Sequence, residues 1–174
     1  RTSSIIVDSQ VPTIVSTTPS ENSRVSTLSK IQVKLTDEFQ IPNSEFRIPN
    51  SAVDTFNTQV RLLNPVSVNI GATKTDNGID TITLDFNPLK TDGSQDGIYT
   101  IEVTPADRAG NIGSSFRIEF AYVTKLPELV TVSIPDLSFV NRIDKIEATL
   151  QDHSGKGIDF DNSTIKLKNP DSEE

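Results

Sequence analysis

The chain has 174 residues with 16 basic and 24 acidic side chains, a formal charge of -8, and neither Cys, Met nor Trp. That balance repels phosphate backbones, and no basic cluster with interleaved aromatics is present, so nucleic acid is excluded as a partner. Without cysteine there is no disulfide, thiol nucleophile or thiolate metal ligand, and no apolar run reaches membrane-spanning length, which excludes direct insertion by these residues. Ile, Val, Thr and Ser dominate and aromatics make up 6%, a composition that favours half-buried strands over helices. The length suits one domain with a good core, or one domain and part of another. With no Met even at position 1, the sequence is expected to be a piece of a longer or processed chain.

Residues 1–10, with "TSSIIVD", are expected to be the last strand of a preceding domain or a linker. Strands are then predicted near 13–17, 30–36, 58–63, 66–73, 80–86, 98–104 and 115–122, separated by Gly, Asn, Asp and Pro clusters. "KIQVKLT" places Ile31, Val33 and Leu35 on one face, and "TITLDF" does the same with Ile82, Leu84 and Phe86. About seven strands with frequent turn signals indicate an all-β sandwich of two sheets. Asp76, Asn77 and Asp80 in "TDNGID" read as hairpin-turn residues.

Between the second and third strands stands "EFQIPNSEFRIPNS", residues 38–51, which repeats itself after seven residues. The heptanucleotide ATTCCGA, written in tandem, translates as Ile-Pro-Asn-Ser-Glu-Phe-Arg and accounts for residues 41–51; one base change at Gln40 extends it back to Glu38. The stretch therefore reads as an expanded DNA repeat inserted at an exposed, length-tolerant connection. The rival reading is a selected ligand-binding loop.

A longer repeat organises the chain. Laid on itself with an offset of 115, "SKIQVKLTD" (29–37) lies over "DKIEATLQD" (144–152), and Pro12 over Pro127. The register breaks at the insertion and resumes ten residues out of step, where "AVDTFNTQVRLLNP" (52–65) matches "GIDFDNSTIKLKNP" (157–170). Residues 11–125 are thus expected to be one complete domain, and 126–174 the first half of a second copy in tandem. Half a sandwich exposes strand edges, so strand exchange or self-assembly between copies is an expected mode of association.

The most specific segment is "DGIYTIEVTPADRAGN", residues 96–111. Asp96 and Gly97 form a turn, Tyr99, Ile101 and Val103 share a face, and "DRAGN" makes the next turn, with Gly110 free to take positive φ. Tyr99 suits a tyrosine corner, the alternative being an ordinary half-buried Tyr. With "TTPSENSRVS" and the closing "FRIEF", this segment resembles the bacterial immunoglobulin-like domains that occur as tandem arrays in large cell-surface proteins, adhesins and surface-layer proteins. The resemblance covers 11–125 whole and 126–170 in part. It implies an immunoglobulin-like sandwich outside the cell, serving as a non-catalytic spacer or structural repeat beside neighbouring repeats. The alternatives are an adhesive module recognising glycan or protein through its loops, with Phe39, Phe46 and Phe56 as the exposed aromatics, and an accessory domain of a secreted enzyme.

No catalytic residue is singled out. His153, the one histidine, sits in a turn beside Asp152 and Ser154, where sequence neighbours do not build a relay. No cofactor is required by the pattern, but calcium is a candidate. "DGSQDG" sets Asp92, Ser94 and Asp96 at alternate positions like an oxygen-ligand loop, though the continuation fails as an EF-hand. Asp152, Asp159 and Asp161 of the second copy could share an ion with Asp92 and Asp96 at the joint Lys125–Glu128; the alternative is a solvated acidic surface.

Overall fold

The computed structural model describes residues 7–37, 39–40, 47–48, 52–135, 138–152, 157–158, 160–161 and 163–166. Among them every regular element is a strand: β1 Thr13–Thr18, β2 Arg24–Val25, β3 Lys30–Thr36, β4 Phe39–Gln40, β5 Arg47–Ile48, β6 Gln59–Leu63, β7 Thr73–Asp76, β8 Thr81–Asp85, β9 Gly97–Thr104, β10 Phe116–Tyr122, β11 Glu128–Val132 and β12 Ala148–Gln151. One four-stranded sheet runs β1-β3-β8-β7 and a second runs β2-β10-β9-β6. All pairings in the two sheets are antiparallel except β2 with β10. The chain is an immunoglobulin-like β-sandwich over residues 13–122.

Alternation along each strand builds the core. Ile31, Val33 and Leu35 of β3, with Ile82 and Leu84 of β8, face Leu62 of β6, Tyr99, Ile101 and Val103 of β9, and Phe120 and Tyr122 of β10; each of these is buried. Every such aliphatic side chain removed from water contributes about 1.5–3 kcal/mol, the main term opposing chain entropy. Tyr99 stacks on Phe120 at 5.8 Å between ring centroids and meets Tyr122 edge-on at 5.9 Å. Aromatic bulk fills the end of the sandwich where β9 begins.

Buried hydroxyls need partners. Tyr99 donates to the Gln95 carbonyl at 2.9 Å, four residues upstream, which is the tyrosine corner; Tyr122 donates to the carbonyls of Leu89 and Lys90 at 3.2 and 3.3 Å. Gly97, with φ of +150°, leads into this corner, and a Cβ there would stand 2.6 Å from Pro65 Cγ. The corner thus depends on a residue without a side chain.

One expected strand is displaced. In 66–73 only Thr73 belongs to a strand, because the Asn64 side chain accepts the amides of Val66 and Val68 at 3.1 and 2.9 Å and Ser67 takes φ of +62°. A side chain that captures backbone donors competes with a sheet ladder, and Val66 and Val68 stay exposed. The turn at Asp76–Asp80 forms as expected. Asn77 Oδ1 accepts the amides of Ile79, Asp80 and Thr81, and Asp80 accepts the Asn77 amide and the Thr81 hydroxyl.

β4 and β5 form a two-residue pair within the inserted stretch, most of which lies outside the described residues, as do residues 1–6. Residues 7–10 belong to no strand. After Leu126, β11 and β12 pair only with each other, so a complete second sandwich is not formed among the described residues. Replacing Tyr99 by Phe keeps the ring packing and deletes the corner bond. The expected outcome in urea denaturation is a loss of about 1 kcal/mol with an unchanged m-value; a loss near zero would show that the bond does not hold the corner.

Candidate metal centre

The period that buries Ile31, Val33 and Leu35 continues one step past β3 and turns Asp37 toward the same interior row. Asp37 is 3% exposed, and its Oδ2 is buried with no hydrogen-bond partner. Burying a carboxylate without a full set of partners costs several kcal/mol or forces protonation. Something must compensate this group.

The neighbours of Asp37 are also acidic. Asp107 stands in the β9–β10 connection, where Pro105 has ended β9 and Gly110, at φ of +95°, lets the chain reverse. Its Oδ1 accepts the Asn111 amide at 2.7 Å and its Oδ2 the Asn111 side-chain amide at 2.6 Å, while its backbone bridges Val53. Asp8 arrives on the incoming segment, tied down by the Asn111 side chain, which donates to the Asp8 carbonyl at 3.1 Å. Carboxylate oxygens of Asp8, Asp37 and Asp107 all lie within 4.8 Å of one another. Burial first, then the charges of Asp8 and Asp107, push the Asp37 carboxyl up from 3.8 to about 6.

Three converging carboxylates, one of them with an unpartnered buried oxygen, form a hard, all-oxygen donor set of the kind calcium takes. No His or Cys belongs to it.

The carboxylates singled out from sequence are placed differently. Asp92 accepts the Ser94 hydroxyl and amide, which hold it below the usual carboxylate range. Asp96 clasps the exit of the sandwich: it accepts the Thr124 amide and hydroxyl at 2.9 and 2.6 Å and the Lys125 amide at 2.9 Å. Burial works to raise Asp96, but these bonds and the Lys125 charge hold it below its ordinary value. Asp152 accepts the Gly157 amide at 2.9 Å, Asp161 is exposed, and Asp159 and His153 lie outside the described residues. Among the described residues these carboxylates do not converge as a group; Asp8, Asp37 and Asp107 do. A signal for the latter was present, since an aspartate at the inward phase of a strand recurs as Asp152 when the chain is laid on itself.

No family model matches the sequence, and no curated protein matches it. Solved structures that align with it include CopC from Methylosinus trichosporium OB3b, at 16% identity over 64% of this chain and 92% of that one, TM-score 0.46. PcoC, a methionine-rich copper resistance protein from Escherichia coli, aligns at 12% identity over 65% of this chain and 99% of that one, TM-score 0.47. These findings correct the expectation of a spacer, adhesive or surface-layer element in an array of tandem repeats. The aligned structures are CopC and a copper resistance protein, and no family model of such repeats matches.

The raised Asp37 value fixes a sign. A carboxyl whose folded value exceeds its unfolded one contributes stability that is fully present below pH 3.8 and is lost as pH rises through about 6. In chelator, wild type should therefore lose stability relative to Asp37→Asn across that window. Thermal midpoints of the two proteins from pH 3.5 to 7.5 check this; parallel curves would mean that Asp37 is not the stressed group.

Proposed function

We propose that residues 7–125 form a cation-binding β-sandwich module in which Asp8, Asp37 and Asp107 hold a hard divalent cation, with calcium the best fit. The observation that carries this reading is the unpartnered Oδ2 of Asp37 beside two further carboxylates. A cation supplies the missing counter-charge and joins the incoming segment, through Asp8, to the sandwich, through Asp37 and Asp107. Calcium accepts six to eight oxygens, so backbone carbonyls and water complete its shell. With this reading goes an extracytoplasmic location, where calcium modules typically bind at about 10⁻⁴–10⁻³ M.

Copper, the metal named for PcoC, does not fit these donors. The chain has no Met and no Cys, its one His lies outside the described residues, and soft thioether or imidazole ligands are what copper selects. The module is read as a binding unit and not as a catalyst, because the polar groups of the site are carboxylates and one amide, with no nucleophile held by a base.

Titration of the chelator-treated protein with calcium, magnesium and copper(II), followed by calorimetry and thermal unfolding, tests the proposal. Calcium should raise the midpoint, and at 100 times its dissociation constant should add about 2.7 kcal/mol. Asp37→Asn and Asp107→Asn should each abolish the shift, and Asp92→Asn should leave it intact. An unshifted midpoint in calcium, or a shift that survives Asp37→Asn, would sink the assignment.

A further inference from the structure

A second surface, distinct from the cation site, lies on residues 128–166. β11 and β12 pair as Glu128 with Gln151, Leu129 with Leu150, Thr131 with Thr149 and Val132 with Ala148, with a register shift between Leu129 and Thr131. β1 and β3 pair as Thr13 with Thr36, Ile14 with Leu35, Ser16 with Lys34 and Thr17 with Val33, with a register shift between Ile14 and Ser16. Every partner in the first set stands 115 residues after its counterpart in the second, the bulge included. The sequence repeat is therefore a repeat of backbone pairing. Equivalent positions pair, and the same irregularity recurs at the same place.

Burial separates the two. Ile31, Val33 and Leu35 are 0% exposed. Their counterparts Ile146, Ala148 and Leu150 keep the alternation but are only half-buried, and they line an open groove of about 880 Å³. In the first unit the row is covered by the β9–β10 pair. In the second, no such pair exists among the described residues. The edge gives the same answer. β9 is the only strand next to β6 in its sheet, and Thr164–Lys166, which match the start of β6, form no strand in a unit where no counterpart of β9 lies among the described residues.

We infer that this face is a docking surface for an antiparallel β-strand pair of the β9–β10 kind, with inward-facing aliphatic and aromatic side chains at alternate positions, as Tyr99, Ile101, Val103 and Phe120 are in the first unit. The first unit is what says so, since it shows the same half covered by that pair. The occupant is not the folded sandwich of a second copy, whose own pair is already buried in its core. It is a separate segment of that pattern. The inference does not depend on the cation site.

The probe is the full chain extended after Glu174 by a further copy of its own residues 70–125, which carries β7 to β10; the match of Asn64–Pro65 with Asn169–Pro170 lays Glu174 over Asn69 and sets that join. In the unextended chain, residues 146–151 should exchange their amide hydrogens fast, and light scattering should give one chain. In the extended chain, exchange at 146–151 should slow by at least about tenfold and a second unfolding transition should appear. Leu150→Glu in the extended chain should return exchange to the fast rate while leaving the first transition in place. Unchanged exchange in the extended chain would overturn the inference. So would an unextended chain of twice the expected mass with 146–151 already protected, because a second copy would then be the cover.

Discussion

A β-sheet with one apolar face is stable only when a second sheet covers that face, and this constraint governs the molecule. Where Ile31, Val33 and Leu35 meet Tyr99, Ile101 and Val103, the inner row is dry and each polar group at its ends must find a partner. The corner hydroxyl of Tyr99 finds Gln95, and the hydroxyl of Tyr122 finds Leu89 and Lys90. On β12, where no opposing sheet lies among the described residues, the corresponding row is only half-buried. Two halves of one chain thus display the covered and the uncovered state of one motif.

The same constraint explains why Asp37 differs from the other acidic residues. Asp80 and Asp96 are satisfied by hydroxyls and amides of the protein itself. Asp37 occupies the next inward position of the core row, where no donor reaches its Oδ2 and the nearest groups are acidic. Internal hydrogen bonding settles the first two; only a proton or a cation settles the third. Charge density alone does not distinguish them; burial at the inward phase of the strand, seen in the structure, does.

Much of the architecture was legible because it rests on period two. β3, β8, β9 and β10 lie where alternation placed them, and the tyrosine corner follows from Tyr99 standing just inside a strand after an Asp-Gly turn. The displaced strand at 66–73 was not legible, since a run rich in Val carries a strand signal while the backbone there is captured by Asn64. The candidate metal centre was hidden for a different reason. Asp8, Asp37 and Asp107 come from three separated stretches, and spacing along the chain reveals ligands only when one loop supplies them. The joint carboxylates looked stronger in sequence because Asp92 and Asp96 sit close together, yet among the described residues they belong to no group of three converging carboxylates.

The inserted stretch is flanked on both sides by residues of the candidate site. Asp37 precedes it, and its far end is pinned where the Arg108 amide donates to the Ala52 carbonyl at 2.6 Å and Val53 bridges Asp107. Both anchors are fixed by the sandwich, so the stretch between them is free to vary in length while the anchors stay put. A change of one or two heptanucleotides would shift the reading frame downstream of the repeat and replace the sequence that carries Asp107. Slippage by three keeps the frame and changes the loop by seven residues. Read as a nucleotide repeat, the stretch that follows Asp37 can change length only in steps of seven residues if Asp107, encoded downstream, is to be kept.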